Sequence, residues 1–241
     1  MNNDFLISQT GLSIYRNCPF AFYCYRSKKE PIFFNQDILD TGKYVHDALD
    51  RYYRQQYLTK GTMDDILAKT YENLSGSWDV TLPIDEFKKS YTCLQHHAKW
   101  EETRINNGIA IQPLTEEHLK HDIFHGIIDY IDLPKNRVMD WKTNKSANIS
   151  FEYKMQSYIY KLLYESKFKT DLKIFEFYFL YPDEIKVINF SSSGMSEAIQ
   201  EVNQLRELIK KSYEQHDYPK QPKSETLCKN CQYRLYCKLM V

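Results

Sequence analysis

The chain has 241 residues, of which 42% are hydrophobic; that is enough for one substantial core and too many for a disordered chain. Its 32 Lys and Arg balance 32 Asp and Glu. A uniformly basic coat for nucleic acid is therefore excluded, and any path for a polyanion has to be a local basic strip.

No run of 18 apolar residues occurs, so no helical membrane span is expected. The N-terminal stretch MNNDFLISQTGLSIYRNC lacks the basic start and long apolar run of a secretory signal. A cytoplasmic protein is expected, in which six cysteines serve as thiols or metal ligands rather than disulfides. Aromatic residues reach 15%, with 20 Tyr, which suits core packing first and base stacking second.

The first forty residues hold short aromatic segments and the pair Cys18-Pro19. Residues 41–58 read as a helix capped by Thr41, with Val45, Leu49, Tyr52 and Tyr53 as its apolar stripe. A second helix, 62–74, has Thr62 as cap and Asp65 at the capping-box position. A third covers 85–106, with Phe87, Tyr91, Leu94 and Ala98 on one side. Strand patterns follow at 109–113, 124–133 and 137–143, the last two joined by a turn at Leu133-Pro134-Lys135-Asn136. Helical spacing returns at 151–168, strands at 174–180 and 185–190, and an amphipathic helix at 195–215. Cys228, Cys231 and Cys237 come after a polar, Pro-containing stretch. This order predicts a single α/β domain with a mixed sheet flanked by helices, and a helical insertion at 58–107.

The chemistry concentrates in Gly126-Ile-Ile-Asp129-Tyr-Ile-Asp132 and Val138-Met-Asp140-Trp-Lys142-Thr143. On a strand, Asp140 and Lys142 share one side while Met139 and Trp141 take the other. If the two strands pair across the Pro134 turn, Asp129 approaches Asp140. Two carboxylates so placed suit Mg²⁺ or Mn²⁺, and the lysine can orient water or steady charge on a phosphate. The plainer reading is a solvated Asp-x-Lys pair and an Asp that shapes a turn. Glu116 and Glu117 lie upstream, with nothing in the sequence to place them.

These segments resemble the RecB-like branch of the PD-(D/E)XK nucleases, where a Gly-x-x-Asp strand precedes an Asp-x-Lys strand. Gly42-Lys-Tyr-Val-His46 is similar to that branch's upstream Gly-x-x-x-His, and Gln156-Ser-Tyr-Ile-Tyr160 to its Gln-x-x-x-Tyr. The resemblance implies that His46, Asp129, Asp140 and the backbone carbonyl of Trp141 hold one or two divalent ions. It makes Asp129, Asp140 and Lys142 catalytic, with Gln156 and Tyr160 contacting DNA. The implied activity is a Mg²⁺- or Mn²⁺-dependent DNA exonuclease acting on single strands or DNA ends in replication, repair or recombination.

Cys228-x2-Cys231-x5-Cys237 offers three ligands within ten residues, and Cys18 is the best fourth, ahead of Cys24. Spacing alone favours a structural Zn²⁺. One Cys before the nuclease motifs and three after them resemble the iron–sulfur nucleases, including the CRISPR-associated exonucleases, and that resemblance implies a [4Fe–4S] cluster joining the two ends. Cys93 reads as a core thiol. Three alternatives stay open: a CRISPR-associated exonuclease trimming DNA before integration, a non-catalytic DNA-binding subunit with a nuclease fold, and a zinc-stabilised binding module.

Overall fold

The structure, a computed structural model, describes residues 5–31, 36–55, 62–79, 83–108 and 112–238. Two helices open it, α1 (Gln9–Asn17) and α2 (Pro19–Arg26). Ser8 caps α1 by accepting from Gly11 N–H, and Cys18 sits in extended backbone between the two. Pro19 opens α2 at a position where the missing N–H costs nothing.

Next come α3 (Gln36–Gln55), α4 (Met63–Ser77) and α5 (Ile84–Asn106). Helix α3 starts five residues before Thr41, so Thr41 does not cap it. Its side chain is buried and its Oγ1 donates to Glu86 Oε2 at 2.9 Å. The expected end of this helix at 56–58 lies outside the described residues. Thr62 and Asp65 do form the capping box of α4.

The strands are β1 (Leu114–His121), β2 (Phe124–Asp132), β3 (Arg137–Lys142), β4 (Ile174–Phe179) and β5 (Glu184–Ile188). Of the strand expected at 109–113, residues 109–111 lie outside the described residues, Gln112 and Pro113 are not in a strand, and β1 begins at Leu114. A short 3₁₀ turn at Leu133–Lys135 joins β2 to β3, and Asn136 takes the left-handed conformation (φ 48°) that Asn tolerates. The helices α6 (Phe151–Phe168), α7 (Ser193–Gln215), α8 (Glu225–Lys229) and α9 (Arg234–Lys238) complete the chain.

The five strands lie in sequence order, antiparallel except for the parallel pair β3–β4. A parallel pair needs a crossover, and α6 provides it. Alternation splits the sheet's side chains between two cores. Val138, Phe175, Phe177 and Phe179 face α1, α6 and α7 in one. Tyr130, Met139, Trp141 and Tyr178 face α3, α4 and α5 in the other. The mixed sheet is thus sandwiched between helical layers. Among the described residues, no helix is long and apolar enough to cross a membrane.

Candidate metal centre

The β2–β3 ladder runs from Asp132↔Arg137 through Tyr130↔Met139 and stops there. Where Asp129 would pair with Asp140, the Trp141 N–H instead donates to Asp129 Oδ2 at 2.7 Å. Beyond this point the β1–β2 ribbon separates from β3, and the acidic residues occupy the fork. Across the ribbon, Thr115↔Tyr130 and Glu117↔Ile128 pair, while Glu116 and Asp129 between them do not. Glu116 has φ 47°, a left-handed conformation inside a strand. Such a break re-aims a side chain and costs about 1–3 kcal/mol, which the surrounding structure must offset.

The break turns Glu116 toward Asp129 and toward His46, which reaches in from α3. His46 Nδ1 lies 3.4 Å from both Glu116 Oε1 and Asp129 Oδ1. Its other nitrogen, Nε2, is 3.0 Å from the Trp141 carbonyl. One ligand atom from each of His46, Glu116 and Asp129 lies within 4.8 Å of the others, a set of nitrogen and hard-oxygen donors that fits Mn²⁺ or Mg²⁺. Burial disfavours a charged imidazole here, but Asp129 and Glu116 outweigh it and hold the His46 pKa well above its ordinary value.

On the other side of the fork stand Asp140 and Lys142. Lys142 Nζ lies 2.5 Å from Asp140 Oδ2 and donates to Gln156 Oε1 at 3.1 Å. The Gln156 amide also donates to Asp140 Oδ1 at 2.9 Å and to the Tyr160 hydroxyl at 3.2 Å. One glutamine on α6 therefore ties the carboxylate to the ammonium, because residues four apart share a helical face. The rings of Tyr153 and Phe177, with centroids 4.8 and 5.4 Å from Nζ, wall the ammonium in. Burial pushes the Asp140 carboxyl up, Lys142 pulls it down and Asp129 pushes it up again, leaving its pKa at about 6. Burial opposes the Lys142 charge, but Asp140 and Asp129 more than restore it, so Lys142 stays cationic.

Gln156 and Tyr160 are both buried and turned into this network. Nothing in the sequence places Glu116; its polar surroundings carry no periodic signal, and its position depends on the backbone break. The Tyr153 and Phe177 rings around Lys142 were likewise unmarked by any motif.

A second group forms where the ends meet. Cys18, Cys231 and Cys237 pack around Phe20, Ala21, Cys24 and Tyr233. Cys18, Cys228, Cys231 and Cys237 line one cavity of about 630 Å³. Cys24 does not line it; burial, with Cys231 and Cys237 nearby, pushes the Cys24 thiol up to about 11. Cys93 is a buried thiol of the second core.

Compared with known proteins, residues 6–238 match the family model of the PD-(D/E)XK nuclease superfamily. None of the curated proteins matches the chain.

Proposed function

The chain belongs to the PD-(D/E)XK nuclease superfamily, whose members are metal-dependent nucleases, and we propose that it is a RecB-like exonuclease acting on single-stranded DNA or DNA ends. The carrying observation is the donor group of His46, Glu116 and Asp129 across a fork from the Asp140–Lys142–Gln156 network. His46, Glu116, Asp129, Asp140 and the Trp141 carbonyl would hold the divalent ion. When bound, such an ion supplies Lewis acidity at the phosphate and lowers the pKa of a coordinated water.

The remaining work falls to the chain's own side chains. Lys142, kept cationic by Asp140 and Asp129, has two of its three N–H groups turned to Asp140 and Gln156. The third is left to meet charge developing on a phosphate oxygen, a contact worth most in a site poor in water. Gln156 fixes the spacing of Asp140 and Lys142. Tyr160, whose hydroxyl accepts from Gln156, supports that amide from beneath and contacts the substrate through it. The role proposed for it is in replication, repair or recombination.

We assign the cysteine group to a [4Fe–4S] cluster that clamps the ends of the chain. The support is that Cys18, Cys228, Cys231 and Cys237 line one cavity where the two ends meet, in the one-plus-three arrangement that resembles the iron–sulfur nucleases.

The test is cleavage of end-labelled single- and double-stranded DNA with Mg²⁺ or Mn²⁺. Asp140→Ala and Lys142→Ala should retain the wild-type circular dichroism spectrum and bind DNA, because backbone contacts elsewhere supply most affinity. Both should lose cleavage by about two orders of magnitude or more. Wild-type cleavage by contaminant-free Asp140→Ala would overturn the proposal.

A further inference from the structure

On the separated β1–β2 ribbon, Leu119, Phe124 and Ile128 turn toward α6 and join the first core. Alternation sends His118, Lys120, His125 and Ile127 to the opposite face, and all four are exposed. The register pairs Lys120 with His125 and His118 with Ile127. The ribbon itself then runs on to Glu116 and Asp129, where the left-handed Glu116 ends the alternation. Two residues of an antiparallel strand advance about 6.8 Å, so Lys120 stands about 14 Å from Glu116. The exposed face is therefore a track that leads from the hairpin tip to the edge of the fork, where the break at Glu116 re-aims the chain.

Its charge has one sign until the metal centre is reached. Lys120 supplies a cation, and His118 and His125 supply ring N–H donors. Arg26 lies close enough that, after burial, its charge is the next cause holding the His125 pKa down. Arg26 is itself held against the outer end of the ribbon, donating to the Leu6 carbonyl at 2.7 Å and covering the Phe5 ring. The acidic side chain at the tip, Asp122, is taken up by Lys210 at 3.0 Å and lies 3.8 Å from Arg206. Ile127, 37% exposed, gives the track an apolar floor between the basic step and the acidic one. A zero-charge protein that handles a polyanion needs such a local strip, and the single strand is the substrate of the function proposed above.

We propose that this open face is the path along which the phosphate backbone of single-stranded nucleic acid approaches the fork, with Lys120 and His125 contacting phosphates. The inference rests on the reading of Glu116 and Asp129 as the reaction centre. It adds which surface carries the strand on its way there.

The experiment measures binding of fluorescein-labelled oligothymidylate by anisotropy, with Ca²⁺ in place of Mg²⁺, across a salt series. Lys120→Ala should weaken binding several-fold and flatten the slope of log K against log salt by about 0.7, the value for one phosphate contact on a single strand. Lys120→Glu should weaken it further. Lys186→Ala removes the same charge from the exposed strand β5 and should match the wild type. Equal affinities and slopes for Lys120→Ala and Lys186→Ala would overturn the track. Wild-type binding to duplex but not to oligothymidylate would overturn the single-strand assignment. A wild-type protein that binds neither and cleaves nothing would overturn the underlying nuclease reading itself.

Discussion

Adding one methyl group at Gly126 should disturb the metal centre from behind. A Cβ there would lie 2.9 Å from Tyr160 Cε1 and 3.1 Å from Leu163 Cδ1, against an ordinary contact of 3.4 Å or more. The Tyr160 ring must therefore retreat by about 0.5 Å. Overpacking of this kind costs about 1–3 kcal/mol. The lower backbone entropy of unfolded Ala returns about 0.4–1 kcal/mol, which leaves a net loss of roughly 1–2 kcal/mol. For a chain of this size that is a fall in Tm of about 2–8 °C. The displacement passes through the Tyr160 hydroxyl to Gln156, and from Gln156 to Asp140 and Lys142. Since a 1 Å misplacement can cost about 10²-fold in rate, half that distance predicts about tenfold slower cleavage. Calorimetry and single-turnover cleavage of Gly126→Ala measure both effects. Combining Gly126→Ala with Tyr160→Leu should shrink the stability penalty by at least half, because neighbours in contact are not additive. Equal penalties in both backgrounds would refute the contact as the cause.

Glu116→Asn keeps a residue that accepts positive φ but removes the carboxylate, so Mn²⁺ binding followed by electron paramagnetic resonance should weaken about tenfold or more while Tm holds; unchanged Mn²⁺ affinity would remove Glu116 from the donor set. His97 is fully buried, and burial first, with Arg104 adding, lowers its pKa to about 4 despite the opposing pull of Glu101. The unfolded chain therefore binds a proton that the fold does not. Stability should be full above pH 6.5 and fall between 6.5 and 4, by up to about 3 kcal/mol from this group; denaturant titrations of His97→Gln should show that much less acid sensitivity. Anaerobically purified protein should be brown and contain iron and sulfide, and Cys18→Ser should bleach it and lower Tm by several degrees; a colourless protein with one bound zinc would reverse the assignment.

Much of this architecture is legible because the relevant segments obey simple periods. The period-2 pattern of Val138, Asp140 and Lys142 against Met139 and Trp141 sorts the two faces of β3, and Pro134-Lys135-Asn136 marks the turn that brings β2 back. Helix α6 reads cleanly because Gln156, Tyr160 and Tyr164 repeat every four residues. Strand β1 does not read at all. Its sequence, LTEEHLKH, is polar, and the left-handed Glu116 breaks the alternation on which strand recognition depends. Thr41 looks like a cap because Thr caps helices, but tertiary contacts place it in the helix interior as a buried donor to Glu86. Glu116 is hidden in the sequence for the same reason as β1. Its role depends on a backbone break set by the β1–β2 pairing, which has no local signature.

The seam between the ends of the chain has a consequence for biosynthesis. The Tyr15 hydroxyl bonds Ser212, 197 residues away. Arg16 bonds Glu201, Phe20 N–H reaches Pro219 and Lys223 N–H reaches Asn17. Helices α1 and α2 are therefore made long before these partners. At about 5–20 residues per second, the ribosome needs roughly 10–40 s to deliver their partners. During that interval Phe20, which packs with Tyr233 in the finished fold, lacks its partner in the nascent chain, where a chaperone could hold it. Slowing translation in the last third of the message should lengthen that interval and lower the soluble yield, even with every residue of the mature fold unchanged.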